Sequence, residues 1–126
     1  KKQCFELATS YLENLGGLNF EKNYLPFSSQ TSSVNAIQVD DFNNDGFLDL
    51  LVAGNNYEIS TQLGRLDASH GSLLLNDKNG FFKSATNQKF NIAGPARSIN
   101  KIIINNKAHY LIGINNNAPI LLIKNE

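Results

Sequence analysis

The chain has 126 residues, a length that suits one domain able to bury roughly 65% of its unfolded surface. Eleven basic residues balance eleven acidic ones and Lys and Arg form no run, which argues against a nucleic-acid-binding surface. No apolar stretch approaches the roughly 18 residues of a membrane-spanning helix, and the single cysteine, Cys4, excludes an internal disulfide.

Short apolar runs separated by polar segments predict an all-β fold. The runs are rich in Ile, Val, Leu, Phe and Tyr, and most of the 19 Asn residues lie between them, where Asn and Gly favour turns. No run keeps a helical period, so we expect little helix. Nine strands with turn signals between them indicate an antiparallel architecture. The predicted strands cover residues 5–14, 19–24, 34–39, 48–54, 72–76, 81–85, 99–104, 109–114 and 119–124.

The connections between these strands are of two kinds. Residues 14–18 and 76–80 are Gly-containing segments of the length that hairpins use. Residues 55–71 form a much longer connection without alternation, and a loop of this length in a compact domain is often functional.

The long connection carries charged and aromatic residues that could act in two ways. Arg65 and Asp67 could form an ion pair that fixes the shape of the loop, or they could present a binding face. Tyr57 could stack on a sugar, or it could pack against the protein. The sequence leaves these alternatives open.

The chain also repeats itself. Residues 10–22 and 71–83 both contain an apolar strand, a Gly turn, and then an aromatic residue followed by Lys. Residues 33–37 are similar to residues 98–102, and each is followed by a second strand that ends in a Gly and then an Asn, Gly54-Asn55 in one and Gly113-Ile114-Asn115 in the other. A repeat of about 60 residues with four strands per unit is typical of the blades of a β-propeller.

The segment from Asp40 to Asp49 contains a D-x-N-x-D-G-x-x-D motif. Calcium prefers roughly six to eight oxygen ligands, and alternate residues of a tight loop can turn side-chain oxygens toward one centre. Gly46 permits the sharp turn that such a loop needs. The predicted calcium ligands are Asp41, Asn43, Asp45, the main-chain oxygen of Phe47, and Asp49.

The motif differs from an EF-hand, which needs a Glu at the position held here by Val52 and helices where these flanks predict strands. We therefore predict a strand–loop–strand calcium site; the alternative is an Asx-rich turn that binds no metal. Asp40 is expected to face away from the ion and to bond the backbone. Residues 104–109, at the equivalent place in the next unit, hold no carboxylate, so we expect one metal site.

Catalytic patterns are weak. His70 lies beside Ser69 and close to Asp67, but the members of a catalytic triad usually come from distant segments. The motifs of nucleophile elbows, dinucleotide loops, phosphate loops and zinc proteases do not occur. We therefore do not expect an enzyme.

Residues 34–55 resemble the FG-GAP/VCBS repeat, the blade unit of propellers like those in integrin α subunits. An apolar strand, the D-x-N-x-D-G-x-x-D loop and the strand Leu50-Leu51-Val52-Ala53-Gly54-Asn55 follow one another in register. More narrowly, residues 54–57 and 64–68 look like the C-terminal end of bacterial VCBS-repeat proteins related to the ASPIC/UnbV and cartilage-acidic-protein group.

The resemblance implies calcium held for structure, an extracellular or cell-envelope location, and binding of proteins or glycans through propeller loops. It assigns residues 1–27 to the outer strands of one blade, 34–85 to a complete blade with the calcium loop, and 99–126 to a degenerate last blade. About two blades cannot close a ring, since propellers have roughly four to eight.

The chain contains no Met and begins with Lys1, so we expect the tail or a fragment of a longer propeller, able to self-associate through exposed blade edges. The implied function is a non-catalytic, calcium-stabilised binding or scaffold module. The alternative is the C-terminal part of a larger envelope enzyme whose catalytic residues lie elsewhere.

Overall fold

The computed structural model describes residue 3 and residues 5–58, 64–86 and 90–124. Within these ranges the fold is all-β and antiparallel, with one short 3-10 helix at Phe27–Ser29. No helix of the described chain is long and apolar enough to cross a membrane. The nine strands are β1 Ser10–Gly16, β2 Asn19–Tyr24, β3 Val34–Asp40, β4 Asp49–Gly54, β5 Ser72–Asn76, β6 Phe82–Ser84, β7 Ala96–Ile104, β8 Lys107–Ile114 and β9 Ile120–Ile123.

Each predicted strand overlaps an observed one, and the largest error lies at the first. It was predicted for residues 5–14, whereas β1 covers Ser10–Gly16. The pairing with β2 stops beyond Ser10 because the partner strand is followed by Pro26, which lacks an N–H and leads into the 3-10 helix. Cys4, which precedes this segment, lies outside the described residues.

The strands form three antiparallel sheets in chain order. β1 and β2 make a two-stranded sheet, β3 to β6 a four-stranded one, and β7 to β9 a three-stranded one. Within each sheet the strands pair in chain order, without crossovers. The hairpins predicted at residues 14–18 and 76–80 are confirmed as the β1–β2 and β5–β6 connections.

The four-stranded sheet lies between the other two, and β4 is buried on both faces. Because side chains alternate along a strand, Leu50 and Val52 point to one face while Leu51 and Ala53 point to the other. The first face packs in a cluster with the β1–β2 sheet, and the second in a larger cluster with the β7–β9 sheet. This double burial explains why β4 reads as a continuous apolar run.

The two apolar clusters make up the core. The larger contains Ala36, Leu51, Ala53, Ile92, Ala96, Ile99, Tyr110, Ile112 and Ile114. The smaller contains Leu25, Val52 and Leu74, with Tyr11, Val34, Leu50 and Phe82 packed against it. Tyr11 meets the Phe82 ring edge to face, with centroids 5.2 Å apart, and its hydroxyl donates to the main-chain oxygen of Gly80.

The two larger sheets begin in the same way. A β-bulge interrupts the β3–β4 pairing between Val34 and Ala36, and another interrupts the β7–β8 pairing between Ala96 and Ser98. The two sheets therefore begin with similar geometry. The predicted match of residues 33–37 with 98–102 has the wrong register, because aligning the two bulges makes Ala36 equivalent to Ser98, whereas the sequence comparison made it equivalent to Lys101.

A shared hydrogen bond supports this corrected register. After β4, the N–H of Asn55 donates to the oxygen of Ser33 at 3.2 Å. After β8, the N–H of Asn115 donates to the oxygen of Pro95 at 3.0 Å. Both bonds join the residue after the second strand to the residue before the first, so the predicted match of Asn55 with Asn115 is confirmed.

Gly54 is the strand residue least able to accept a side chain. A Cβ there would lie 1.5 Å from the backbone oxygen of Ser33, and shifting that oxygen would disturb the β3–β4 bulge. We predict that Gly54→Ala lowers the free energy of unfolding by roughly 2–3 kcal/mol, measured by urea denaturation.

Gly113→Ala is the matched control. Its Cβ would meet only the Oγ of Ser98, at 2.6 Å, and that hydroxyl can rotate away. The expected loss is about 1 kcal/mol or less. Equal losses in the two variants would contradict the backbone clash.

Candidate metal centre

The segment with the D-x-N-x-D-G-x-x-D motif is a loop between two paired strands. β3 ends at Asp40 and β4 begins at Asp49, and the eight residues between them form no helix. The predicted strand–loop–strand arrangement is therefore confirmed. Asn44 (φ 60°) and Gly46 (φ 86°) both adopt left-handed backbone conformations, which curl the chain back on itself.

The side chains at the first three predicted ligand positions turn toward amides of their own loop. The N–H of Asp45 is shared by Asp41 Oδ1 and Asn43 Oδ1, each at 3.1 Å, so these two oxygens lie close together. Asp41 Oδ2 also accepts the N–H of Gly46 at 2.8 Å. The hydrogen bonds hold the motif in a compact turn with its oxygens directed inward.

Asp45 completes this set of hydrogen bonds. Its Oδ1 accepts the N–H of Phe47 at 3.0 Å, and its Oδ2 lies 3.5 Å from the ammonium of Lys78. The pKa of Asp45 lies below its ordinary value chiefly because of the Phe47 N–H; partial desolvation opposes this, and Asn43 and Lys78 reinforce it. Asp45 is therefore charged at neutral pH.

Asp49 has a different place, because it is fully buried at the start of β4. Its Oδ1 accepts the N–H of Asn76 and its Oδ2 the N–H of Phe42, both at 2.9 Å. The carboxylate thus joins the beginning of the loop to the end of β5. Both of its oxygens have hydrogen-bond partners, as a buried charge requires.

The donor set fits calcium by its chemistry, since it consists of carboxylate, amide and main-chain oxygens. A carboxylate has about four lone-pair sites, so one amide bond per oxygen leaves room for a cation. The carboxylates are nevertheless not gathered around one point. Among the described residues, no three His, Cys, Asp or Glu side chains form a group that could hold a metal ion. The calcium ligands therefore stay a prediction.

Two lysines that the sequence analysis did not single out contact this loop. Lys78, from the β5–β6 hairpin, faces Asp45 and lies 5.3 Å from the centroid of the Phe47 ring. Lys124, after β9, donates to the main-chain oxygen of Asp41 at 2.6 Å and to Asn44 Oδ1 at 2.7 Å. Lys124 is 83 positions from Asp41, so no local pattern could have indicated the contact.

Asp40 bonds the backbone as expected, and it also bridges two sheets. Its Oδ1 accepts the N–H of Asp41 at 3.0 Å, while its Oδ2 lies 2.6 Å from both the Tyr110 hydroxyl and the Lys101 ammonium. Burial raises the pKa of Asp40, but Lys101 and Tyr110 outweigh it and leave the pKa below its ordinary value. Burial of Tyr110 and its hydrogen bond to the charged Asp40 carboxylate raise the pKa of Tyr110.

The charges of the long connection are arranged differently from the predicted ion pair. The guanidinium of Arg65 lies over the ring of Tyr57, 5.0 Å from its centroid. Within the described chain no ion pair joins Arg65 to Asp67, so that interpretation was wrong. His70 uses its main-chain oxygen to accept the N–H of Ile92 at 3.2 Å. Residues 59–63 of this connection lie outside the described ranges.

No protein-family model, curated protein or solved structure matches this chain.

The contacts of Asp40 with Lys101 and Tyr110 predict how the pKa of Asp40 changes on folding. A carboxyl whose pKa is depressed on folding contributes stability above its unfolded pKa of about 3.9 and loses it as the pH falls through the folded value. A carbon-detected NMR titration without calcium should therefore place the Asp40 midpoint below about 3.9.

Lys101→Gln should raise that midpoint, because it removes the strongest interaction that favours the charged carboxylate. Lys83→Gln removes a lysine of β6 that pairs with Asp77, and it should leave the Asp40 midpoint unchanged. A midpoint insensitive to Lys101→Gln would show that the bridge does not exist in solution.

Proposed function

We propose that this chain is a non-catalytic binding or scaffold module, stabilised by calcium and built from propeller blades of the FG-GAP/VCBS type. The observation that carries the proposal is the β3–β4 loop, where side-chain oxygens of Asp41, Asn43 and Asp45 accept backbone amides of the loop itself. Oxygen-rich turns of this kind suit a hard divalent cation.

The arrangement of the sheets supports the blade assignment. β3 to β6 form a four-stranded meander, the unit from which propellers are made, and this sheet packs face to face between two others. The first strands of the two larger sheets lie next to each other, with the N–H of Lys101 donating to Gln38 Oε1 at 3.2 Å. We accordingly keep residues 1–27 and 34–85 as the outer strands of one blade and a complete blade, and we start the last, degenerate blade at Ala96 instead of residue 99, because β7 begins there.

Two lysines from other parts of the chain, Lys78 and Lys124, lie where they partly take the place of a cation beside the loop. Asp41, Asn43, Asp45 and the Phe47 carbonyl would hold calcium, which supplies the positive charge that a group of carboxylates needs. Asp49, the fifth predicted ligand, anchors the end of the loop, and each of its oxygens accepts one amide, which leaves lone pairs for the ion. Because Lys78 and Lys124 offset part of the loop's negative charge, we expect modest affinity, with Kd of roughly 10⁻⁴ to 10⁻³ M.

A site of this affinity suits an extracellular or cell-envelope location, where calcium is plentiful. Proteins or glycans are the proposed partners, bound through loops at the ends of the sheets. The open edges of β6 and β9 offer a second mode of contact, self-association by strand pairing, although Lys83 on β6 discourages it at that edge.

Calcium should raise the thermal stability of the chain, because an ion that binds only the folded state shifts the equilibrium toward it. At 10 mM calcium, an affinity in the proposed range corresponds to about 1.4 to 2.7 kcal/mol. The Tm should rise by roughly 5–10 °C in differential scanning calorimetry, relative to the protein in EDTA.

Asp45→Asn should abolish this rise, because it removes a negative charge from the proposed site. The substitution keeps a side-chain oxygen that can accept the N–H of Phe47. Asp77→Asn is the matched control: Asp77 also accepts two backbone amides in a turn, those of Asn79 and Phe81, but it lies outside the motif. An unchanged calcium response in Asp45→Asn, or an equal loss in both variants, would refute the site.

A further inference from the structure

An open pocket of about 390 Å³ lies at the end of the sheets opposite to the β3–β4 loop. The loop precedes β4, whereas the pocket lies where β4 and β8 end and β7 begins. Its walls come from Tyr57, Glu58 and Arg65 on one side and residues 115–117 on the other, above a floor at Gly94 and Pro95. The volume is within the range of small-ligand sites, roughly 300–1,000 Å³.

The floor of this pocket is rigid and its carbonyls are largely occupied. The oxygen of Gly94 accepts the side-chain amide of Asn55 at 3.2 Å and the N–H of Ala96 at 3.0 Å, which uses both of its lone pairs. The oxygen of Pro95 accepts the N–H of Asn115 at 3.0 Å. Asn55 is itself buried, so the floor belongs to the core and offers few acceptors to a ligand.

The acidic group of the pocket is also engaged. Glu58 Oε1 accepts the side-chain amide of Asn115 at 2.9 Å, and its Oε2 lies 3.9 Å from the guanidinium of Arg97. Arg97 stands outside the described lining, and together Glu58 and Arg97 add no net charge to this end of the sheets. On this side a ligand meets the exposed Glu58 carboxylate and the guanidinium of Arg65.

The groups left available are mostly donors. Arg65 is stacked on Tyr57, and in the described part of the chain no acidic side chain lies within ion-pair distance of it. Asn117 uses its side-chain oxygen to accept the N–H of Ala118 at 2.8 Å, which leaves its amide hydrogens for a ligand. The side chain of Asn116, in the turn beside it, makes no hydrogen bond to a described residue. One uncompensated positive charge and several amide donors favour an anionic ligand rich in oxygen.

We propose that this pocket binds an acidic saccharide. The carboxylate of the sugar pairs with Arg65, whose planar guanidinium can bond both of its oxygens, and the hydroxyls bond the amides of Asn116 and Asn117. Stacking on the half-buried Tyr57 holds the guanidinium in place before the ligand arrives, which reduces the entropy lost on binding. This inference names the ligand class of the module and rests on the proposed function as a non-catalytic binder.

The test is an NMR titration of the full chain with methyl β-D-glucuronide and methyl β-D-glucoside, which differ only in the carboxylate. We expect saturable shifts of the backbone amides of residues 115–117, with the glucuronide bound at least about tenfold more tightly, as for a lost charge-assisted hydrogen bond. Arg65→Gln should weaken glucuronide binding by a similar factor. Lys83→Gln, which removes an equal charge on β6, should leave it unchanged.

A second variant guards against a general effect of removing Arg65. Asn117→Ala should weaken the binding of both sugars several-fold, because it removes a hydroxyl contact and leaves the charge in place. Equal affinity for the two sugars, the absence of saturable shifts, or displacement of the glucuronide by an equal concentration of acetate would each overturn the saccharide assignment.

The two proposals can fail separately. The pocket lies at the far end of β4, so glucuronide binding should persist in EDTA and in Asp45→Asn. A calcium-dependent rise in Tm without glucuronide binding would refute only the ligand class. Glucuronide binding without any response to calcium would refute only the metal site. Release of methanol from the glycoside during the titration would overturn the non-catalytic assignment.

Discussion

The burial of β4 on both faces is the constraint on which the rest of the structure depends. Leu51 and Ala53 have no exposed surface and Val52 almost none, so this one strand joins the two apolar clusters into a single core. Each buried aliphatic side chain contributes about 1.5–3 kcal/mol relative to an exposed one. A strand covered on both sides cannot shift by one residue, because every apolar side chain would change its neighbours.

Two buried polar residues mark the ends of this strand and place the two candidate sites. Asp49, at its start, fixes the beginning of the β3–β4 loop and the end of β5 through two backbone amides. Asn55, just after its end, bonds Ser69 and Gly94 and so holds the floor of the pocket. An unsatisfied buried polar group costs about 1–3 kcal/mol, so these partners are part of the fold itself. The buried strand β4 therefore fixes the position of the loop at one end and of the pocket floor at the other.

Charge then links the β3–β4 loop to its neighbours. Lys78 reaches it from the same sheet, while Lys124 comes from the next. Asp40, at the end of β3, bonds Tyr110 and Lys101 of that next sheet. The loop is therefore ordered by the protein's own cations and donors, and a calcium ion would reinforce an existing arrangement. These contacts explain how a turn rich in carboxylates can be compact.

Local pattern by itself determined the nine strands, their antiparallel hairpins, and the loop with its motif. Alternating apolar residues, Asn-Gly turns and the spacing of Asp41 to Asp49 act over a few residues, where sequence and backbone geometry are directly coupled. It did not determine where β1 begins, which depends on the partner strand ending at Pro26, or the register of the repeat, which depends on two bulges. The contacts of Lys124 arise only once the sheets stack, because side-chain contacts between distant segments follow from packing and leave no periodic trace in the chain. The stacking of Arg65 on Tyr57 depends on the bridge between Asn56 and Leu66, which folds the long connection back on itself.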